Sequence, residues 1–234
     1  SGWVYDAGGE SNKGNSLRRR GNLTRMPQAR IGIRDEIAAL KRTRILAAAA
    51  DLFYENGYEN TTLDAVAERL GVSKPFIYAH FSSKSELLAD ICSRGIAASL
   101  EALDQALSME DTPAGKLEAL GRGFVTAVLE SQIHIAIFSR EEKNLPPEDF
   151  ERINEMRRDF DRKLTALLRQ GVELGEFTLS DPHIAALGIG GMVSWAYVWY
   201  RKDGRLSIPE GADELTRIIF AIVQYRPKTA KKSR

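Results

Sequence analysis

Only one cysteine, Cys92, and three histidines occur among the 234 residues. A lone thiol closes no internal disulfide, and no Cys/His set stands at zinc-ligand spacing. Neither a stapled secreted scaffold nor a structural metal is therefore expected. Long apolar runs are also missing: stretches such as 133–138 and 185–200 are too short or too interrupted to span a bilayer. The first residues lack the apolar segment of a signal peptide, so a soluble cytoplasmic protein is expected. No sustained period-two alternation marks a strand. No nucleophile elbow occurs, and Gly188, Gly190 and Gly191 fall inside a helical pattern rather than in a phosphate loop after a strand. Enzymatic chemistry, a cofactor and a metal are accordingly not expected.

An excess of charge of one sign is absent as well. The formal net charge of +1 argues against a general polyanion binder. The average conceals an asymmetry, however. Residues 1–94 carry 14 Lys and Arg against 11 Asp and Glu, residues 95–225 carry 14 against 21, and residues 226–234 carry 5 against none. A basic first part and an acidic middle suit a chain that meets phosphates at one end. The length leaves room for a small DNA-reading module and a larger second core.

Residues 1–34 lack apolar periodicity and read as a disordered basic leader. Arg18, Arg19, Arg20, Arg25 and Arg30 make it either a solvated tail or an arm lying along phosphates or in a minor groove. From Asp35 onward the apolar residues repeat at helical spacing, which predicts an all-α fold. Helices are expected over 35–56, 63–70, 74–81, 84–108, 113–130, 133–143, 147–174, 182–201 and 209–225. Breaks fall at Asn60, Pro113, Pro146, Gly175, Pro182, Gly204 and Pro209. Residues 226–234 form a basic tail.

Residues 42–92 carry the most specific pattern. Ile45, Ala49, Leu52 and Phe53 make one apolar face, closed by Gly57. Thr61 and Thr62 can cap a two-turn helix whose stripe is Leu63, Val66, Ala67 and Leu70. Gly71 turns the chain, Val72 anchors it, and Ser73 with Pro75 opens a third helix. Two short helices across a glycine turn form a helix-turn-helix, whose second helix points its N-terminal residues at base edges in the major groove. Ser73, Lys74, Pro75 and Phe76 suit bases and thymine methyls, while Tyr78, His80 and Lys84 suit phosphate oxygens. Thr62 can hold a further phosphate through its hydroxyl and the free amides of its helix. Ser83 to Glu86 reads as a capping box that restarts the chain as a long helix.

The residues Thr61-Thr62, 67–74 (AERLGVSK) and 77–81 (IYAHF), followed by 83–88 (SKSELL), closely resemble the TetR family of bacterial transcriptional regulators. The resemblance implies a three-helix DNA-binding head over 35–92. It also implies a helical ligand-binding and dimerisation body over 93–225, usually in a repressor released by a small molecule. The family commonly has a small residue or threonine where Phe76 stands, so an altered base preference is expected.

By the same resemblance, the helices running from Pro182 to Arg201 and from Pro209 to Tyr225 build the homodimer interface. Ala185, Gly188, Gly191 and Met192 offer a close-approach surface, and Leu215, Ile218, Ile219 and Ile222 an apolar face. Residues 195–207 resemble TetR-like regulators of lipid, steroid and aromatic-acid breakdown, several of which sense acyl-CoA thioesters. Candidate cavity residues are Phe124, Val128, His134, Phe138, Met156 and Trp195. Arg158, with Arg157 and Arg162, can meet a carboxylate or phosphate, or else form a solvated face paired with Asp159 and Asp161. Together these features predict a homodimer on a palindromic double-stranded operator, repressing a catabolic operon until a small hydrophobic or acyl-CoA ligand releases it. A multidrug or efflux-type repressor and a ligand-independent DNA binder are the alternatives.

Overall fold

The computed structural model describes residues 32–226. The basic leader and the basic tail expected from the sequence lie outside the described residues, apart from positions 32–34 and 226. Among the described residues every regular element is helical. The elements are α1 (Ile33–Asn56), α2 (Leu63–Leu70), α3 (Lys74–Tyr78), α4 (Lys84–Ser108), α5 (Pro113–Glu130) and α6 (Gln132–Glu141). They continue with a 3-10 turn at Glu142–Asn144, then α7 (Pro147–Glu173), α8 (Pro182–Ser194), α9 (Ala196–Trp199) and α10 (Ile208–Ile222).

The helix starts follow from short polar caps. Thr62, Ser83, Thr112, Asp181 and Ser207 each accept a backbone N–H of the helix they open. Three helices stop at least three residues short of the sequence expectation, and the other boundaries agree within two. The recognition helix α3 stops at Tyr78 instead of reaching Phe81. Beyond it Arg42 takes the His80 carbonyl at 2.7 Å, and its guanidinium lies 3.9 Å from the centre of the buried Phe81 ring. The helix expected over 182–201 breaks at Trp195. There Val198 N–H donates to the Trp195 carbonyl in a tighter three-residue turn, which keeps Ala196 and Tyr200 buried while Trp195 and Trp199 face outward. The last helix ends at Ile222, ahead of Gln224, whose φ of +48° is left-handed.

Two apolar cores organise the chain. One joins α1 to α4 through Ile45, Phe53, Val66, Ile77, Phe81 and Ile91. It is extended by Ile137 and Phe138 of α6, by Leu145, and by Ile153 of α7. The other joins the far half of α4 to α5, α7, α8 and α10 through Leu103, Leu117, Phe124, Leu164, Ile189 and Ile219. The head is therefore tied to the body through α6 and the start of α7 as well as through α4.

The end of α7 packs without spare room. A Cβ on Gly171 would lie 2.0 Å from the Phe177 ring, which folds back over the helix after the left-handed Gly175. Gly171→Ala should lower stability by about 1–3 kcal/mol through overpacking. In a thermal melt that is a fall of several degrees for a chain of this size.

Candidate DNA-binding face and ligand cavity

The head presents α3 with its N-terminus open. Ser73, Lys74, Pro75 and Tyr78 are exposed, and Ile77 is fully buried beneath them. Lys74 Nζ donates to Asp64 of α2 at 2.5 Å, an exposed pair that can exchange Asp64 for DNA. Thr62 caps α2 from an exposed position, its hydroxyl accepting from Ala65 N–H at 3.1 Å.

Phe76 and His80 are only half open. Their rings meet edge to face at 5.2 Å, and Lys41 of α1 lies 5.6 Å from the Phe76 ring centre. Lys84 is turned inward, donating to the Tyr58 carbonyl at 2.9 Å and lying 4.1 Å from that tyrosine's ring. Its visible role is to hold the turn that closes α1. Of the eight candidate DNA residues, Thr62, Ser73, Lys74, Pro75 and Tyr78 are thus exposed, Phe76 and His80 are half-buried, and Lys84 is engaged by the head itself.

Arg42 was not singled out by the sequence. Besides the His80 carbonyl it binds Glu86 at 3.1 Å and Asp90 at 2.5 Å, so it clamps the end of the recognition element onto α4. Glu86 in turn accepts from the backbone and the hydroxyl of Ser82, both at 2.8 Å. The capping box therefore reaches one residue further back than its simplest form.

In the body, α4 to α8 enclose a cavity of about 290 Å³. Phe124, Val128, Ile135, Phe160 and Leu187 supply apolar walls, while Ser99, Arg157, Asp161 and Ser194 supply polar groups. Gly95 admits α6 closely, since a Cβ there would stand 3.0 Å from Ile135. Leu187 and Gly191 line the cavity and are also exposed on α8, so the cavity opens toward that helix's outer face.

Of the residues expected to meet a ligand, Phe124 and Val128 line this cavity. Phe138 stands behind it, buried, with the Arg157 guanidinium 4.1 Å from its ring centre. Four others lie outside the lining. Trp195 is 59% exposed on the outer surface, where the break after α8 turns it. Met156 is half-buried on another side of α7. Arg158 pairs with Glu151 and Glu155 along a surface groove that also contains Arg162, Arg169 and His183.

His134 is buried at both ring nitrogens, which have no hydrogen-bond partner. Burial, and then the nearby Arg94, hold its pKa below the usual histidine value. Below about pH 6.5 the unfolded chain binds a proton that folded His134 resists. Stability should therefore fall as pH drops through that range, by at most about 1.4 kcal/mol per pH unit from this residue. Urea melts between pH 7.5 and 5 should show His134→Leu to be less acid-sensitive.

The cavity residues missed in the sequence include Ser99 and Gly95, while Arg157 was named only beside Arg158 and Arg162, and Asp161 only as their partner on a solvated face. Arg157 did carry a signal: Ile153, Arg157, Phe160 and Leu164 form one helical stripe, so an arginine occupies an inward position, whereas Arg158 and Arg162 fall on the outer face. Arg157 retains solvent-exposed surface, yet burial draws its pKa below the ordinary arginine value.

A helix-turn-helix head with an open recognition helix, joined by a long helix to a body with its own cavity, defines a ligand-regulated class of DNA-binding protein. The family described as "Bacterial regulatory proteins, tetR family" matches residues 45–91, and "Tetracyclin repressor-like, C-terminal domain" matches residues 110–223. The solved structure of PfmR from Thermus thermophilus is 30% identical, covering 79% of this chain and all of that one, with a TM-score of 0.70. The chain belongs to the TetR family and is a transcriptional regulator of that type.

The repressor KstR2 of Rhodococcus jostii is 29% identical over 77% of this chain and 89% of its own. AibR, solved in complex with isovaleryl coenzyme A and operator DNA, is 26% identical over 80% of this chain and all of its own, with a TM-score of 0.66. The activator FasR of Mycolicibacterium smegmatis is 37% identical, but that match covers 45% of this chain and only 43% of FasR. Among the described residues, no helix is long and apolar enough to cross a membrane.

Proposed function

We propose that the chain is a homodimeric repressor that binds a palindromic operator and leaves it when a small hydrophobic or acyl-CoA-type effector enters the body, relieving a catabolic operon. The head is taken as 35–92 and the body as 93–225. Thr62, Ser73, Lys74, Pro75, Phe76, Tyr78 and His80 are the assigned DNA contacts, and α8 with α10 is the assigned dimer surface. The observation that carries the reading is the course of α4. Its first turn is clamped to the recognition element through Arg42, Glu86 and Asp90, and its middle, at Gly95, Ile96 and Ser99, lines the cavity.

A rigid rod held at one end and pushed in the middle changes the separation of the two heads. Binding two half-sites requires that separation to match about one DNA turn or a multiple. An effector that prefers the mismatched spacing then draws the population off DNA. The similarity to AibR, solved in complex with an acyl-CoA and operator DNA, supports an acyl-CoA site and an operator site in one chain of this fold. The cavity favours a ligand-responsive regulator over a ligand-independent DNA binder.

Fluorescence anisotropy on a labelled operator, selected from random duplexes, tests the proposal. Isovaleryl-CoA or octanoyl-CoA should lower affinity at least tenfold. Unchanged affinity with these thioesters and with a panel of hydrophobic drugs would exclude effector release.

A further inference from the structure

The cavity contains two side chains of opposite charge, Arg157 and Asp161, one turn apart on α7, and neither has a hydrogen bond or ion pair among the described residues. The other arginines of the same stretch are neutralised: Arg152 by Asp149, Arg158 by Glu151 and Glu155, and Arg162 by Glu155 and Asp159. Arg157 instead lays its guanidinium on the Phe138 ring at 4.1 Å. Arg157 is open to solvent on its cavity side, and Glu142 and Asp161 act on it only through their charge; an oxygen acceptor in the cavity would supply the hydrogen bonds its guanidinium lacks, and that planar group fits a carboxylate or carbonyl well. Ser99 and Ser194 add hydroxyls, and the remaining wall is apolar.

The aromatic partner of Arg157 also packs into the head. Phe138 is part of the head's core together with Ile45, Phe53 and Phe81. The same helix grips α1 through Arg140, 5.1 Å from the Tyr54 ring centre, and grips the turn after α1 through Glu141, which accepts from Tyr58 N–H at 3.3 Å. Arg157 thus has one face in the cavity and the other on a residue packed into the head's core.

We infer that the cavity takes a short or branched acyl compound whose oxygen head group, the carboxylate of a free acid or the carbonyl of its thioester, is held by Arg157. Capture of Arg157 weakens its stack on Phe138 and so transmits occupancy to the head through α6. The inference rests on the effector-controlled reading above and deepens it. Asp161 opposes a second carboxylate in the cavity and so favours ligands with a single acyl head. A cavity of about 290 Å³ stands at the low end of ordinary ligand sites (about 300–1,000 Å³), which favours a small acyl group over a fused four-ring body.

Full-length protein is titrated by calorimetry with isovalerate, octanoate, their coenzyme A thioesters, the matching alcohols and cholate, and the same compounds are used to displace selected operator in anisotropy. At least one acyl compound should bind at least tenfold more tightly than its alcohol, with cholate not binding; which arm binds separates free acid from thioester. Arg157→Gln should weaken that binding at least thirtyfold, and Arg157→Lys should recover part of it, which a merely unfolded variant would not show. In the wild type the concentrations for half-binding and half-release should coincide, and Phe138→Leu should separate them at least tenfold. Alcohols or cholate binding as well as acyl compounds, or Arg157→Gln binding normally, would overturn the assignment. So would the absence of binding by any acyl compound, in which case operator binding by the ligand-free protein would leave the DNA-binding reading intact.

Discussion

Replacing Ile184 and Ile218 together by aspartate should convert the protein from a dimer to a monomer and weaken operator binding at least a thousandfold. Ile184 is 62% exposed at the start of α8, and Ile218 is 45% exposed on α10. Along α8 the exposed residues Ile184, Leu187, Gly188, Gly191 and Trp195 fall on one side, and neither Gly188 nor Gly191 has any atom within 4 Å of a built Cβ. A continuous apolar stripe without cover in one protomer suits a second copy, because its burial removes large side chains from water and the glycines let two helices approach. Specific operator binding is about 10³–10⁷ tighter than non-specific binding, and a single head loses most of that margin. Light scattering and anisotropy at fixed salt check both parts. Both substitutions are on the surface of the protomer, so an unchanged circular dichroism spectrum is expected. A double variant that stays dimeric with normal affinity would put the interface elsewhere.

The second large effect is at the recognition helix. Lys74→Glu should reduce operator affinity roughly a hundredfold or more and lower the slope of log affinity against log salt by about 1, because a cation at the helix's open end is replaced by a repelling anion. Its present partner is the exposed Asp64, so removing the lysine leaves no buried charge and the fold should persist. Lys84→Ala should behave differently. Lys84 supports the Tyr58 carbonyl, so its loss should lower the melting temperature, and any loss of DNA binding should follow from a loosened head. If Lys84→Ala leaves the melting temperature unchanged but reduces the salt slope, Lys84 touches phosphate instead.

The helix-turn-helix was legible because each of its elements is set by local chemistry. Thr62, Gly71 and Ser83 each fulfil a capping or turning role that only a few residue types can, and the stripe Leu63, Val66, Ala67 is buried as its spacing requires. The premature end of α3 was not legible, since it depends on Arg42, 38 residues upstream, taking the His80 carbonyl. The break at Trp195 likewise reflects packing of Ala196 and Tyr200 in the body, where local propensity favours a continuous helix.

The cavity was partly legible. Phe124 and Val128 follow from the inward stripe of α5, whereas Trp195 and Arg158, chosen for aromatic and charged character, lie outside the lining. A tryptophan can be the exposed anchor of an interface, and of the five arginines on α7 only Arg157, in register with Ile153 and Phe160, lines the cavity.

The most direct test of the central claim is a selection of bound duplexes from a random pool by the purified, ligand-free protein, followed by the mass of the complex on the enriched sequence. The account predicts an inverted repeat whose half-site centres are about one helical turn apart, or a multiple of it, bound by an even number of protomers. Enrichment of a single half-site held by one protomer, or no enrichment at all, would contradict it.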